Sequence, residues 1–174
     1  MKEVLEELDS IKFKVKLPGL KEGDNTRTTI IGGEGSETPV QSTTLGLVLD
    51  YRTSNLVPST ATRQNKFKRL HLLLKKLIKQ KDPNFKYTSI TINKNLKTHW
   101  HRDKKNVGSA YSLTLGNFRG GFLEVERDNG SRYKVDTHNR MTLIDNMNLL
   151  HRTGNWRGGD RYNIVWYKKR NQAS

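Results

Sequence analysis

Thr98-His99-Trp100-His101-Arg102-Asp103 sets an imidazole and a carboxylate two residues apart, and Leu149-Leu150-His151 adds another imidazole 50 residues after His101. Gly158-Gly159-Asp160-Arg161-Tyr162 then supplies an arginine ten residues beyond His151. Two imidazoles and one carboxylate on one face of an octahedron form the ligand set of non-haem iron(II), which keeps its other positions open for a co-substrate and oxygen. A His-x-Asp alone arises easily by chance in a charged chain with five histidines. Its conjunction with a downstream histidine and an arginine that opens a strand gives the pattern its weight.

Placed at a strand end, His101 and Asp103 both turn inward, and His151 faces them from a later strand. His99-x-His101 is the competing pair. His101 with Asp103 is preferred because a carboxylate completes the triad, and the role of His99 stays open. His71 and His138 read as structural.

The surrounding texture is β. Tyr87–Asn93, Tyr111–Leu115, Phe122–Glu126, Tyr133–Val135, Met141–Ile144 and Arg161–Tyr167 are short strands separated by turn signals, the pattern of a sandwich or barrel. Asn129-Gly130 marks a hairpin, and Asn117–Gly121 reads as a turn. Upstream, Val4, Leu5 and Leu8 have helical spacing, and Ile11, Phe13, Val15 and Leu17 alternate as a strand. Residues 21–42 read as a long loop bordering the site, Thr44–Tyr51 as a buried strand, and Asn55–Gln64 as a loop. Over Lys66–Gln80 the residues Phe67, Leu70, Leu74, Leu77 and Ile78 share one helical face. The expected whole is one domain over 1–174, mainly β with supporting helices (α+β): N-terminal support over 1–86 and a core over 87–170.

With no cysteine among 174 residues, disulfides, thiolate metal sites and cysteine nucleophiles are excluded. No apolar run approaches the ~18–20 residues of a membrane helix, and Met1-Lys2-Glu3-Val4-Leu5-Glu6-Glu7-Leu8 lacks the apolar core of a signal peptide. A soluble, intracellular monomer, cytosolic or nuclear and without a membrane partner, is expected. The net charge of +15 is uneven: residues 1–62 carry 7 Lys/Arg against 9 Asp/Glu, and 63–174 carry 25 against 8. The excess lies in the segment holding the candidate ligands. A polyanion fits such a surface, because neutralising phosphates releases counterions.

Iron held by His101, Asp103 and His151 leaves room for a keto acid such as 2-oxoglutarate. The distal carboxylate of that co-substrate calls for a planar, permanently charged partner that binds two oxygens, which is arginine rather than lysine. By period-2 alternation Arg161 shares a face with Asn163, Val165 and Tyr167, and Asn163 and Tyr111 are expected beside the co-substrate with it.

These residues resemble the 2-oxoglutarate/Fe(II) dioxygenase superfamily. Asn93-Lys94-Asn95, Lys105 through Ser112, Leu115-Gly116-Asn117-Phe118-Arg119-Gly120-Gly121 and Asp160 through Tyr167 are similar to its Tet/J-binding-protein branch, over roughly residues 86–169. The resemblance implies a double-stranded β-helix (jelly-roll) fold, Fe(II), 2-oxoglutarate and O2 as cofactor and co-substrates, and DNA as partner. The implied reaction is hydroxylation of the methyl group of 5-methylcytosine or thymine. Asn163 stands where that branch more usually has serine, and Arg161-Tyr162-Asn163 also looks like the AlkB demethylases, which place a further arginine where this chain has Tyr167. A protein hydroxylase on the same fold and a non-enzymatic nucleic-acid-binding module also compete with the Tet-like function. A flipped base is stacked and read at its edges. Trp100, Tyr111, Phe118 and Trp156 are the stacking candidates, with Asn93, Asn95 and Asn106 reading edges. Arg102, Lys104, Lys105, Arg119, Arg152 and Arg157 are candidates to clamp the backbone.

Overall fold

A computed structural model describes residues 1–13, 15–16, 30–32 and 40–171. Helix α1 (Lys2–Ser10) is followed by β1 (Val15–Lys16), β2 (Ile30–Gly32), β3 (Val40–Asp50), β4 (Asn55–Pro58), α2 (Lys68–Lys81), β5 (Ser89–Lys94) and β6 (Lys97–Thr98). The remaining strands are β7 (Asn106–Leu115), β8 (Phe118–Gly120), β9 (Leu123–Glu126), β10 (Arg132–Val135), β11 (Thr142–Ile144), β12 (Leu150–Thr153), β13 (Trp156–Gly158) and β14 (Tyr162–Lys169).

The main sheet runs β1-β3-β5-β14-β7-β11, with β4 also paired to β3. A smaller sheet, β10-β9-β12, is extended by a backbone bridge between His101 and His151. These antiparallel sheets enclose a cavity between them, the double-stranded β-helix arrangement expected from the sequence.

Alternation on the central strands decides what each face does. Ile90 and Ile92, Leu113 and Leu115, and Ile164 and Trp166 pack with Leu70, Leu74 and Ile78 of α2 and Val4 and Leu8 of α1 into one apolar core. Leu70, Leu74 and Ile78 recur every four residues, so α2 buries a stripe and leaves its lysines in water. The indole of Trp166 donates to the Leu74 carbonyl, satisfying the polar edge of a fully buried ring. One residue out of phase, Thr91, Asn93, Ser112, Asn163 and Tyr167 face the cavity.

Several sequence expectations change. Asn55–Pro58 is a strand rather than loop, and β3 begins at Val40, inside the expected 21–42 loop, where Gln41, Ser42 and Thr43 carry the strand back from its expected start at Thr44 without apolar alternation. Ile30–Gly32 pairs with β6; residues 21–29 and 33–39 of that loop lie outside the described residues, as do Lys14 and Leu17 of the expected N-terminal strand. The Asn117–Gly121 turn contains β8, which pairs with β13. Helix α2 starts at Lys68, because Asn65–Phe67 forms a 3-10 turn. No helix among the described residues is long and apolar enough to cross a membrane.

Candidate functional site

The cavity has a volume of about 470 Å³, within the roughly 300–1,000 Å³ of small-molecule sites. His101, Asp103 and His151 meet in its wall, with one ligand atom from each lying within 4.8 Å of the others. The bridge between His101 and His151, each backbone N–H donating to the other's carbonyl at 3.0 Å, sets the rings side by side with centroids 4.3 Å apart. Asp103 lies with one oxygen 3.5 Å from each Nε2.

The hydrogen bonds around these rings assign their nitrogens. His101 Nδ1 is 2.7 Å from the His99 carbonyl and His151 Nδ1 is 2.9 Å from the Leu149 carbonyl. A carbonyl only accepts, so in the neutral rings Nδ1 carries the proton and the Nε2 lone pair points at the shared centre. Burial opposes charge on Asp103, yet when the rings of His101 and His151 are protonated at Nε2 their hydrogen bonds and positive charge hold its carboxyl well below the usual carboxylate range, so a cation at this point keeps the carboxylate ionised. Two lone pairs and an ionised carboxylate fit a divalent transition metal bound on one face. Among the described residues this is the only such cluster of metal-ligating side chains. His99 is exposed and contributes its carbonyl, while its ring stands outside the cluster.

Asn146, which sequence reasoning missed, grips Asp103 twice. Its Nδ2 donates to Asp103 Oδ2 at 2.9 Å and its carbonyl accepts from the Asp103 backbone N–H at 2.8 Å. It sits in the connection between β11 and β12, where no periodicity marks it.

Arg161 lines the same cavity and is 4% exposed. Its Nη2 donates to the Gly121 carbonyl at 2.9 Å, its buried Nε has no partner, and no carboxylate pairs with it among the described residues. Burial pushes its pKa down to about 10. A buried cation without an anion is costly, so an arginine in this state has the chemistry of a carboxylate receptor. The guanidinium lies between Phe118 and Trp156, 5.6 and 5.4 Å from their ring centroids. Gly121 has φ +66°, and a Cβ there would stand 2.7 Å from Arg161 Nε, so the close approach requires glycine.

The remaining predicted site residues divide by strand face. Asn163 lines the cavity, its amide donating to Ser112 Oγ at 3.0 Å; Asn93, bonded to Ser42, and Asn106 line it too. Tyr111, expected beside the co-substrate, lies on the opposite face with Leu113 and Leu115 and donates to Asp82 Oδ2. Trp100 is held outside the cavity between the guanidiniums of Arg132 and Arg152, both 4.7 Å away. Phe118 and Trp156, expected to stack a base, flank Arg161 instead. Asn95 sits at φ 55° and locks a turn, with its amide oxygen accepting from the Arg161 N–H and its amide N–H donating to Asp160. Arg102, Lys104 and Lys105 are exposed at the mouth of the cavity. Arg119 and Arg157 face each other across β8 and β13 outside the cavity lining, and Arg152 pairs with Glu124.

A 2OG-Fe(II) oxygenase family oxidoreductase from Burkholderia pseudomallei superposes with a TM-score of 0.65 at 12% identity, over 99% of this chain and 80% of that one. The fold is that of the 2OG-Fe(II) oxygenases. NgTET1 in complex with 5mC DNA gives a TM-score of 0.56 at 14% identity, over 76% of this chain and 62% of that one. OsALKBH1 gives 0.53 at 14% identity, over 96% and 90%. No protein-family model matches the sequence, and no curated protein matches it. At these identities the likeness speaks for the oxygenase fold.

Proposed function

We propose that this chain is an Fe(II)- and 2-oxoglutarate-dependent dioxygenase that hydroxylates the methyl group of a pyrimidine base in DNA, 5-methylcytosine or thymine. The observation that carries the reading is the convergence, in one cavity, of three metal-ligating side chains within 4.8 Å of one another and a buried guanidinium with no carboxylate partner among the described residues. His101, Asp103 and His151 would hold Fe(II), and Arg161 would take the distal carboxylate of 2-oxoglutarate in a charge-assisted, two-oxygen contact. With O2 and 2-oxoglutarate, bound iron supplies an oxidant able to convert a methyl into a hydroxymethyl group, with succinate and carbon dioxide as the accompanying products.

The protein's own part is positioning. Leu149 and His99 carbonyls orient the imidazoles, Asn146 fixes the carboxylate, and the Phe118–Trp156 pair confines Arg161 to one orientation. Asn93 and Asn106 in the cavity lining offer amides to a base edge. An anionic substrate is favoured by the lining: among the described residues Asp103 is its sole acidic member, whereas Arg102, Lys104, Lys105 and Lys169 are cationic. The likeness to a protein solved with 5mC DNA supports DNA as the source of that base.

Incubation with Fe(II), 2-oxoglutarate and DNA containing 5-methylcytosine or thymine, followed by nucleoside mass spectrometry, tests the reading. A 5-hydroxymethyl product formed with equimolar succinate is expected. Oxidation confined to 1-methyladenine or 3-methylcytosine would replace it with an AlkB-type demethylation, and no nucleoside product at all would refute it.

A further inference from the structure

The mouth of the cavity carries one aromatic side chain among its cations. Tyr51 lines the cavity and is 68% exposed, the only aromatic among the described residues that stands so far into solvent. It sits at the tip of the β3–β4 hairpin, and that tip is tightly built. Ser54 adopts φ 58°, the Thr53 and Ser54 N–H groups donate to the Asp50 carbonyl, and the Arg52 N–H donates to the Asp50 carboxylate. A turn fixed at this many points presents its side chain in one place rather than letting it collapse onto the surface.

Opposite Tyr51 stands Lys105, its ammonium 5.9 Å from the ring centroid. Lys105 is tied to the end of β14 through its carbonyl, which accepts from the Arg170 N–H at 3.0 Å. It follows Asp103 by two residues, and the Asn106 N–H closes that turn onto the Asp103 carbonyl. The lip is therefore an aromatic ring and a lysine facing each other, one short turn of chain from the metal-ligating carboxylate. An exposed ring interleaved with cations is the chemistry by which single strands are held, with bases stacked on the aromatic face and phosphates on the cations.

We propose that Tyr51 is the stacking platform for a nucleobase flanking the one that enters the cavity, with the intervening phosphate held by Lys105. This rests on the nucleic-acid reading of the substrate and extends it. The ligand is a strand with unpaired bases at the mouth, either single-stranded or locally opened, because a base inside a duplex has no free face for Tyr51 to cover.

The test uses the full chain without metal and a fluorescein-labelled strand of ten thymidines, with affinity read by anisotropy at two salt concentrations. Tyr51→Ala should weaken binding by about tenfold with an unchanged salt dependence, and Tyr51→Phe should bind as the parent does. Lys105→Ala should lower the slope of log affinity against log salt by about one. On a strand of the same length whose residues are all abasic, Tyr51→Ala should cost nothing, since no base remains to stack. Because Tyr51 is exposed and packs in no core, its variants fold. Equal binding of the parent and Tyr51→Ala to the thymidine strand would overturn the proposal and leave the enzymatic reading standing. So would an equal loss on the abasic strand. If the parent chain failed to bind the thymidine strand even at low salt, the proposal would fall, while the enzymatic reading would still be decided by the nucleoside assay.

Discussion

On one face of β5, β7 and β14 stand Ile90, Ile92, Leu113, Leu115, Ile164 and Trp166, all at most 1% exposed against the helices. One residue out of phase on the same strands stand Thr91, Asn93, Ser112, Asn163 and Tyr167, facing the cavity. The first face is apolar and needs no ligand. The second is joined by side-chain hydrogen bonds, Thr44 to Thr91 to Tyr167 and Asn163 to Ser112, and leads to a buried arginine that lacks an anion. The contrast teaches that a single set of strands separates stability from chemistry by parity: one face closes on itself, and the opposite one is completed by something outside the chain.

Substitutions on the two faces should therefore fail differently. Asp103→Ala should lower Fe(II)-dependent turnover of 2-oxoglutarate by at least about a hundredfold, as expected for a lost metal contact, while thermal unfolding stays cooperative near the parent midpoint. Retained turnover would remove Asp103 from the site. Trp166→Ala should do the reverse, costing roughly 3–5 kcal/mol of unfolding free energy in urea, since the indole is fully buried and bonded to Leu74. A loss below about 1 kcal/mol would mean that this face is not the core.

Smaller effects sharpen the division within the cavity. Arg161→Lys should raise the 2-oxoglutarate concentration needed for half-maximal turnover by roughly ten- to a hundredfold, the order of a lost hydrogen bond to a charged group. Anaerobic Fe(II) affinity should not change, and a parallel loss of iron would show that the two subsites are not separate. Asn146→Ala should weaken Fe(II) binding by about tenfold, the low end for residues that orient a ligand, with little change in the thermal midpoint. If affinity were untouched, its hold on Asp103 would be incidental.

Much of this division was legible in the sequence, and the misses have physical causes. Spacing brought His101, Asp103 and His151 into consideration, and alternation put Arg161 and Asn163 on one face of a strand. The same alternation groups Tyr111 with Leu113 and Leu115, so its place in the core was readable by parity and was overridden by its chemistry. Phe118 and Trp156 are different. They meet Arg161 through the pairing of two three-residue strands distant in sequence, which no local period announces. Asn146 and Tyr51 act from turns, where position depends on backbone hydrogen bonds rather than on pattern. The start of β3 was hidden because the residues before Thr44 carry polar side chains, with Ser42 bonding to Asn93, where a buried strand would show apolar ones.

Whether the cavity face is completed by iron and a keto acid is decided by anaerobic titration of the metal-free chain with Fe(II) and 2-oxoglutarate. One Fe(II) per chain is expected, with a visible metal-to-ligand charge-transfer absorption that develops only when both are present. No bound iron, or iron binding without any absorption on adding 2-oxoglutarate, would contradict it.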